Sequence, residues 1–365
     1  MSLMKMGLGL YRHMLTRDNF KFARQAGATH LVVHLVNYFA ESARLPSATH
    51  SGGDYGSSQP DMPLWSYEEL RDLRAAVNAE GLEIAAIENL DPAHWYDVLL
   101  DGPRRAEQIE NIKTMIRNMG KAGIPALGYN FSIAGVWGWV RGTWARGGAE
   151  SVGVVEAHMP PQTPIPNGQI WNMVYDPNAP AGFVPPVSQE QLWDRLARFL
   201  QDIVPVAAEA GVRLGAHPDD PPFPELRGSA RLIYRRELYQ KLIDLVPSVY
   251  NGLEYCIGSL AEMADNAIDI YEATDSYSRQ GRITYVHLRN VRGTVPNYHE
   301  VFVDEGDVDM MRILQILHRN GYEGVIIPDH TPQMTCDAPW HAGMAYALGW
   351  MRAVFTALER GKDVV

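Results

Sequence analysis

Short runs of apolar residues recur eight times along this chain, at 7–11, 30–35, 83–88, 126–131, 213–218, 252–257, 284–288 and 324–328, each followed by a segment that can form an amphipathic helix. Apolar runs of this length read as strands, and their alternation with helical stretches is the mark of repeated βα units. Gly27, Gly81, Gly123, Gly211 and Gly321 stand at junctions where a helix would end and feed the next strand. Residues 107–121 put Ile109, Ile112, Met115, Ile116 and Met119 on one face, and 308–319 do the same with Met310, Met311, Leu314 and Leu317. Such stripes pack a helix onto a barrel. Eight units are the number that closes a parallel barrel, so the expected architecture is α/β, a single (β/α)8 TIM-barrel domain over 1–365. Two connections are too long for turns: 40–63, rich in Ser, Gly and Pro, after the second strand, and 132–187, with many Gly, Pro and Trp, after the fourth. Both leave from the strand ends that form a barrel's active mouth, and 132–187 is expected to be an inserted, lid-like loop. An oligomer contact is the alternative.

Four residues able to bind a metal stand at or just past the ends of four successive strand-like runs: His217, Cys256, His287 and Asp329. In a parallel barrel those ends share one mouth, so residues distant in sequence converge on one point. Each is ambiguous by itself, because a lone His or a buried Cys is more often structural. Four in order point to a metal centre. Two imidazoles, a thiolate and a carboxylate suit Zn2+, Fe2+, Co2+ or Mn2+, and catalysis needs an ion that can also accept substrate oxygens.

Polar residues are dense around these positions. The turn His217-Pro218-Asp219-Asp220-Pro221-Pro222 holds two carboxylates that can orient His217, bind hydroxyls or cap the next helix, and Asp219 is taken as a substrate contact. Strand alternation turns Arg289 to the same side as His287, where its fork suits a carboxylate, with Asn290 beside it. His330, next to Asp329, is placed to act as a general acid, a satisfied packed His being the bland alternative. Tyr129 and Asn130 end the fourth strand and Arg141 follows in the long insertion with Trp137 and Trp139; these are candidate substrate contacts beneath an aromatic shield. Asp304, Glu305, Asp307 and Asp309 read as solvated helix capping.

Composition narrows the partners. A net charge of -11, with Arg227, Arg231, Arg235 and Arg236 as the densest basic cluster, argues against a nucleic-acid or membrane-surface partner and leaves a small anionic ligand open. The two cysteines, Cys256 and Cys336, argue for a reducing compartment. No signal-like segment opens the chain and no apolar stretch nears the roughly 18 residues of a membrane span. The expected setting is cytoplasmic.

These residues together resemble the mannonate dehydratase family. The resemblance lies in Tyr129-Asn130-Phe131 with Trp139 and Arg141, the 217–222 turn, Cys256 with Gly258-Ser259, His287 with Arg289-Asn290-Val291, Asp307 with Asp309-Met310, and Pro328-Asp329-His330. It implies a barrel enzyme of hexuronate catabolism, forming homo-oligomers, that uses Mn2+ to dehydrate D-mannonate to 2-keto-3-deoxy-D-gluconate. His217, Cys256, His287 and Asp329 match that family's metal ligands. Three places depart from it: Tyr11-Arg12-His13 stands where an Arg-Trp-Tyr-Gly type of sequence is common, the second strand offers His34 and Asn37 in an unfamiliar setting, and Pro339-Trp340-His341 replaces a Pro-Gly-Tyr whose Tyr is held to be catalytic. The reading is a metal-dependent sugar-acid dehydratase in which His341 or a hydroxide takes the α-proton and His330 protonates the leaving hydroxyl. A metal-dependent sugar isomerase or epimerase, or a non-catalytic sugar-acid-binding barrel, is the alternative.

Overall fold

All eight apolar runs become strands of one closed sheet. A computed structural model describes residues 4–38, 58 and 62–361. The strands are β1 (Lys5–Leu10), β2 (His30–Val33), β3 (Glu83–Glu88), β4 (Ala126–Tyr129), β5 (Arg213–Ala216), β6 (Asn251–Cys256), β7 (Ile283–His287) and β8 (Val325–Ile327). Each lies parallel to its neighbours in sequence order, and β8 closes against β1. The fold is a (β/α)8 TIM barrel.

Helix faces follow the periodicity. Arg105–Ala122 buries Ile109, Ile112, Met115, Ile116 and Met119 and ends in the left-handed Gly123 at φ 73, a conformation that costs glycine little. Met310–Arg319 buries Met310, Ile313, Leu314, Ile316 and Leu317, while Met311 is only partly covered. Of the acidic run ahead of it only Asp309 caps the helix, accepting the Arg312 N–H at 3.0 Å; Asp304 pairs with Arg146, and Glu305 and Asp307 accept the Arg146 and Gly293 N–H groups.

Inside the barrel, strand register sets which side chains meet. Cys256 pairs with His287 and Glu254 with Tyr285 across β6 and β7, so these four alternate residues form two inward layers near the mouth. Gly128 on β4 leaves them room, because a Cβ there would collide with the Tyr285 hydroxyl and the Glu254 carboxylate.

The insertion after β4 is less loop-like than its Gly and Pro content implies. Trp139–Ala145 and Ala149–Val155 form an antiparallel hairpin, and Gly153 and Val154 pair with His299 and Tyr298 of a second hairpin, Asn290–Thr294 with Asn297–Val301, that follows β7. Two insertions from opposite parts of the chain thus build one four-stranded sheet. Less and more exposed positions alternate along 140–144, as in a strand with one covered face. The expected loop at 40–63 lies outside the described residues apart from Ser58, Met62 and Pro63. Among the described residues no helix is long and apolar enough to cross a membrane.

Candidate active site

His217, Cys256 and His287 bring one ligand atom each within 4.8 Å of one another. Asp329 joins from β8, its Oδ2 3.6 Å from His287 Nδ1 and 3.9 Å from Cys256 Sγ. Its backbone takes a left-handed φ of 49, a conformation uncommon outside glycine and typical of constrained functional positions. The four residues that sequence order put at strand ends are therefore assembled at one place.

The donor set suits a divalent cation. His217 Nδ1 lies 2.6 Å from the Pro218 carbonyl and donates to it, which leaves Nε2 as a lone pair facing Cys256. His287 Nδ1 is buried and has no hydrogen-bond partner. Burial acts to raise the Cys256 thiol, but the charge of Arg289 and then the adjacent His217 and His287 imidazoles outweigh it and bring it down to about 5. Asp329 is likewise held well below the carboxylate range, because His330 and His287 overcome its burial. A thiolate, a carboxylate and two imidazoles, with one buried ring nitrogen unsatisfied, fit a bound cation that would take the place of protons.

Above this cluster lies a cavity of about 310 Å³. His34, Tyr11, Tyr38, Glu88, Asn130, Trp139, Arg141, Asp220, Glu300, His330 and Trp340 all contribute to its wall. Of the expected contacts, Asn130, Arg141 and His330 line it. Arg141 is about half exposed and pairs with Glu150 at 3.2 Å.

Other expected contacts are placed elsewhere, each for a physical reason. Arg289 is buried within a ring of the chain's own acids, 2.7 Å from Asp220 Oδ2, 3.1 Å from Glu262 Oε1, 3.4 Å from Asp329 Oδ2 and paired with Glu300. Both terminal nitrogens of its fork are engaged by the chain's own groups, and it supports the cluster from behind. Asp219 accepts the Leu232 and Ile233 N–H groups at 2.7 and 2.8 Å and pairs with the buried Arg231. Asn290 donates to the Val303 and Val308 carbonyls, holding the base of the second hairpin. Tyr129 packs on Phe199, fully buried and outside the lining. His341 is a correction too. It sits in the first turn of the helix Pro339–Glu359, where Trp340 and Met344, four residues apart, share the cavity face and the next residue turns away. Its Nε2 is 3.0 Å from Asn19 Oδ1, and its ring packs on Phe22 and Trp340.

Besides His217 and His287, two further imidazoles, His34 and His330, line the cavity, with opposite proton preferences. Burial dominates at His34 and lowers it, with nearby Glu88 only partly offsetting the effect, so the ring stays neutral. At His330 burial also acts downward, but Asp329 and Glu300, the latter 3.0 Å from Nδ1, raise it to about 9. Paired groups driven apart in this way are the usual basis of acid and base roles. The Tyr11 phenol is pushed up by burial and then by Asp329, which leaves it a donor.

Sequence reasoning noted His34 only as a departure from the family pattern and passed over Glu88, Glu254, Glu262 and Glu300. Glu88 and His34 had the same signal as the chosen ligands, a polar residue at the end of an apolar run. Glu300 had none, since it reaches the site only through the hairpin pairing.

Fold and site together define a (β/α)8 barrel with a charged catalytic-type cavity at the C-terminal mouth of its strands. The family model of D-mannonate dehydratase (UxuA) matches residues 24–156 and 183–364. The chain is 33% identical to the mannonate dehydratase of Streptococcus pneumoniae over 285 residues, covering 74% of this chain and 76% of that protein. It is 30% identical to that of Thermotoga maritima over 295 residues, covering 74% and 79%. The crystal structure of mannonate dehydratase from Streptococcus suis superposes with a TM-score of 0.76 at 27% identity, covering 100% of this chain and 97% of that one. An L-ribulose 3-epimerase structure, at TM-score 0.55 and 14% identity, shares the fold alone. The chain belongs to the mannonate dehydratase family and is thereby an enzyme of the hydro-lyase class. Tyr11 and Trp171, both in the cavity wall, fall in stretches the family model does not match.

Proposed function

We propose that this protein is a metal-dependent dehydratase that converts D-mannonate to 2-keto-3-deoxy-D-gluconate and water. The observation that carries the reading is the cluster of His217, Cys256, His287 and Asp329 opening into a cavity of about 310 Å³, near the lower end of the ~300–1,000 Å³ range of small-molecule sites. Those four side chains would hold the ion, Mn2+ by family resemblance, with Fe2+, Co2+ and Zn2+ also compatible with the donors. A cation held there supplies Lewis acidity to the substrate carboxylate and 2-hydroxyl, which lowers the cost of removing the proton from C2.

The chain's own groups do the rest. Neutral His34 takes the C2 proton. As the C2–C3 double bond forms, the C3–O bond breaks, and protonated His330 gives its proton to the departing oxygen, which leaves as water. The resulting enol tautomerises to the 2-ketone. Glu300 keeps His330 charged and aimed, and Arg141, the one Arg among the described wall residues, answers the anionic end of the substrate. Trp139 and Trp340 keep water from that side of the cavity. A reducing cytoplasmic setting suits a free thiolate at the centre.

The direct test is mass-resolved turnover of D-mannonate, and of a panel of other aldonates, by protein stripped of metal and reloaded with Mn2+. A Mn2+-dependent product lighter by one water is expected. A product of unchanged mass would replace this reading with an isomerase or epimerase, and thermal stabilisation by aldonates without product would replace it with a binding protein.

A further inference from the structure

Glu88 ends β3, far in sequence from the four proposed ligands, yet it touches two imidazoles. Its Oε2 is 3.2 Å from His287 Nε2, and its Oε1 is 3.7 Å from His34 Nε2. The side chain is buried, on the strand that pairs Glu88 with Gly128, and the next residue, Asn89, takes a left-handed φ of 67 that ends the strand there. Glu254 lies 3.4 Å from the same His287 nitrogen but makes no hydrogen bond. A metal-bound imidazole offers one nitrogen to the ion and its other N–H to an acceptor, and that acceptor decides both ring orientation and tautomer.

We propose that Glu88 is a positioning residue: by accepting the Nε2–H of His287 it directs the Nδ1 lone pair toward Cys256 and Asp329, while its other oxygen flanks His34 at 3.7 Å. The inference rests on the metal-dependent reading given above. His287 Nδ1 is the buried ring nitrogen with no hydrogen-bond partner, and its neighbours on that side are Asp329 Oδ2 at 3.6 Å and the Cys256 sulfur. On the other side stands Glu88. One carboxylate on a rigid strand therefore stands between the proposed metal centre and the proposed base.

The test uses the full chain, stripped with a chelator, and Mn2+ titrated calorimetrically into the parent and into Glu88→Leu and Glu88→Gln. Leu keeps the buried volume without an acceptor, whereas the Gln carbonyl can still accept from Nε2–H. Glu88→Leu is expected to weaken Mn2+ binding about 10–100-fold, the usual cost of losing such a partner, and Glu88→Gln to recover most of it. In the Mn2+-saturated Gln variant, kcat for D-mannonate is expected to fall more than KM rises, because the negative charge beside His34 is lost while the substrate's own contacts remain. Parent-like Mn2+ affinity in the folded Leu variant overturns the proposal. If the Leu variant does not fold, a Gln variant that loses affinity 100-fold or more overturns it as well, since hydrogen-bond acceptance is then not what matters. A parent protein that binds no Mn2+ refutes the metal-dependent reading itself and is seen before any variant is made.

Discussion

At the scale of single residues, the site separates groups by what surrounds them. His34 and His330 are both imidazoles on one cavity, but burial governs the first while Asp329 and Glu300 override it at the second, so one is held neutral and the other charged. Replacing His330 with Asn is expected to cut turnover of D-mannonate by about 10²–10⁴-fold while leaving Mn2+ affinity close to the parent's. His34→Asn should cause a comparable loss. His341→Asn, whose ring faces Asn19 and Phe22, should keep near-parent turnover. Steady-state kinetics with Mn2+ titrations on the three variants decide the assignment, and a fully active His330→Asn protein would remove that residue from the reaction. His330 was legible in sequence because it adjoins a strand-end Asp. His341 misled because a helical first turn sends neighbouring residues to different faces, and adjacency in sequence then says little about direction.

Elements supply the frame that makes those residues meet. The barrel brings four strand ends together, but Glu300 arrives on a hairpin stitched to another hairpin, and that joint depends on Gly153, where a Cβ would meet the Tyr298 carbonyl oxygen and the His299 backbone. Gly153→Val should pry the two hairpins apart and shift Glu300 with its hold on His330 and Arg289. Because displacements of about 1 Å at such a centre can cost roughly 10²-fold, kcat/KM for D-mannonate should fall by about that factor. The barrel strands do not run through this joint, so far-UV circular dichroism should change little. Parent-like kcat/KM in the variant would show that the sheet is a cover and does not position the site. Nothing local announced that the two hairpins join: they lie more than a hundred residues apart, and only the pairing of Gly153, Val154 and Val155 with His299, Tyr298 and Asn297 makes them neighbours.

For the whole molecule, the mouth of the barrel gathers acidic side chains. Glu88, Glu254, Glu262, Glu300, Asp220 and Asp329 crowd around the buried Arg289 and the imidazoles. Burial, followed by the charge of Glu88, raises Glu254 to about 8, so this carboxyl remains protonated beside its ionised neighbour. A cation bound only by the folded state should stabilise such an assembly, by about 2.7 kcal/mol when free ion is 100-fold above its Kd. Chelation should therefore lower the melting temperature by several degrees and Mn2+ should restore it. A melting curve indifferent to both would argue that the cluster is held by its own ion pairs. By itself the sequence determined the barrel, since eight apolar runs with helical intervals admit few other closures, and it determined His217, Cys256, His287 and Asp329 as a group, since strand ends in a parallel barrel share one mouth. Only the tertiary structure decided that Arg289 serves its own acids, that His34 and not His341 meets the cavity, and that Glu88 stands between two rings, because which side chain faces which depends on register, helix rotation and pairings between distant segments that no local pattern encodes.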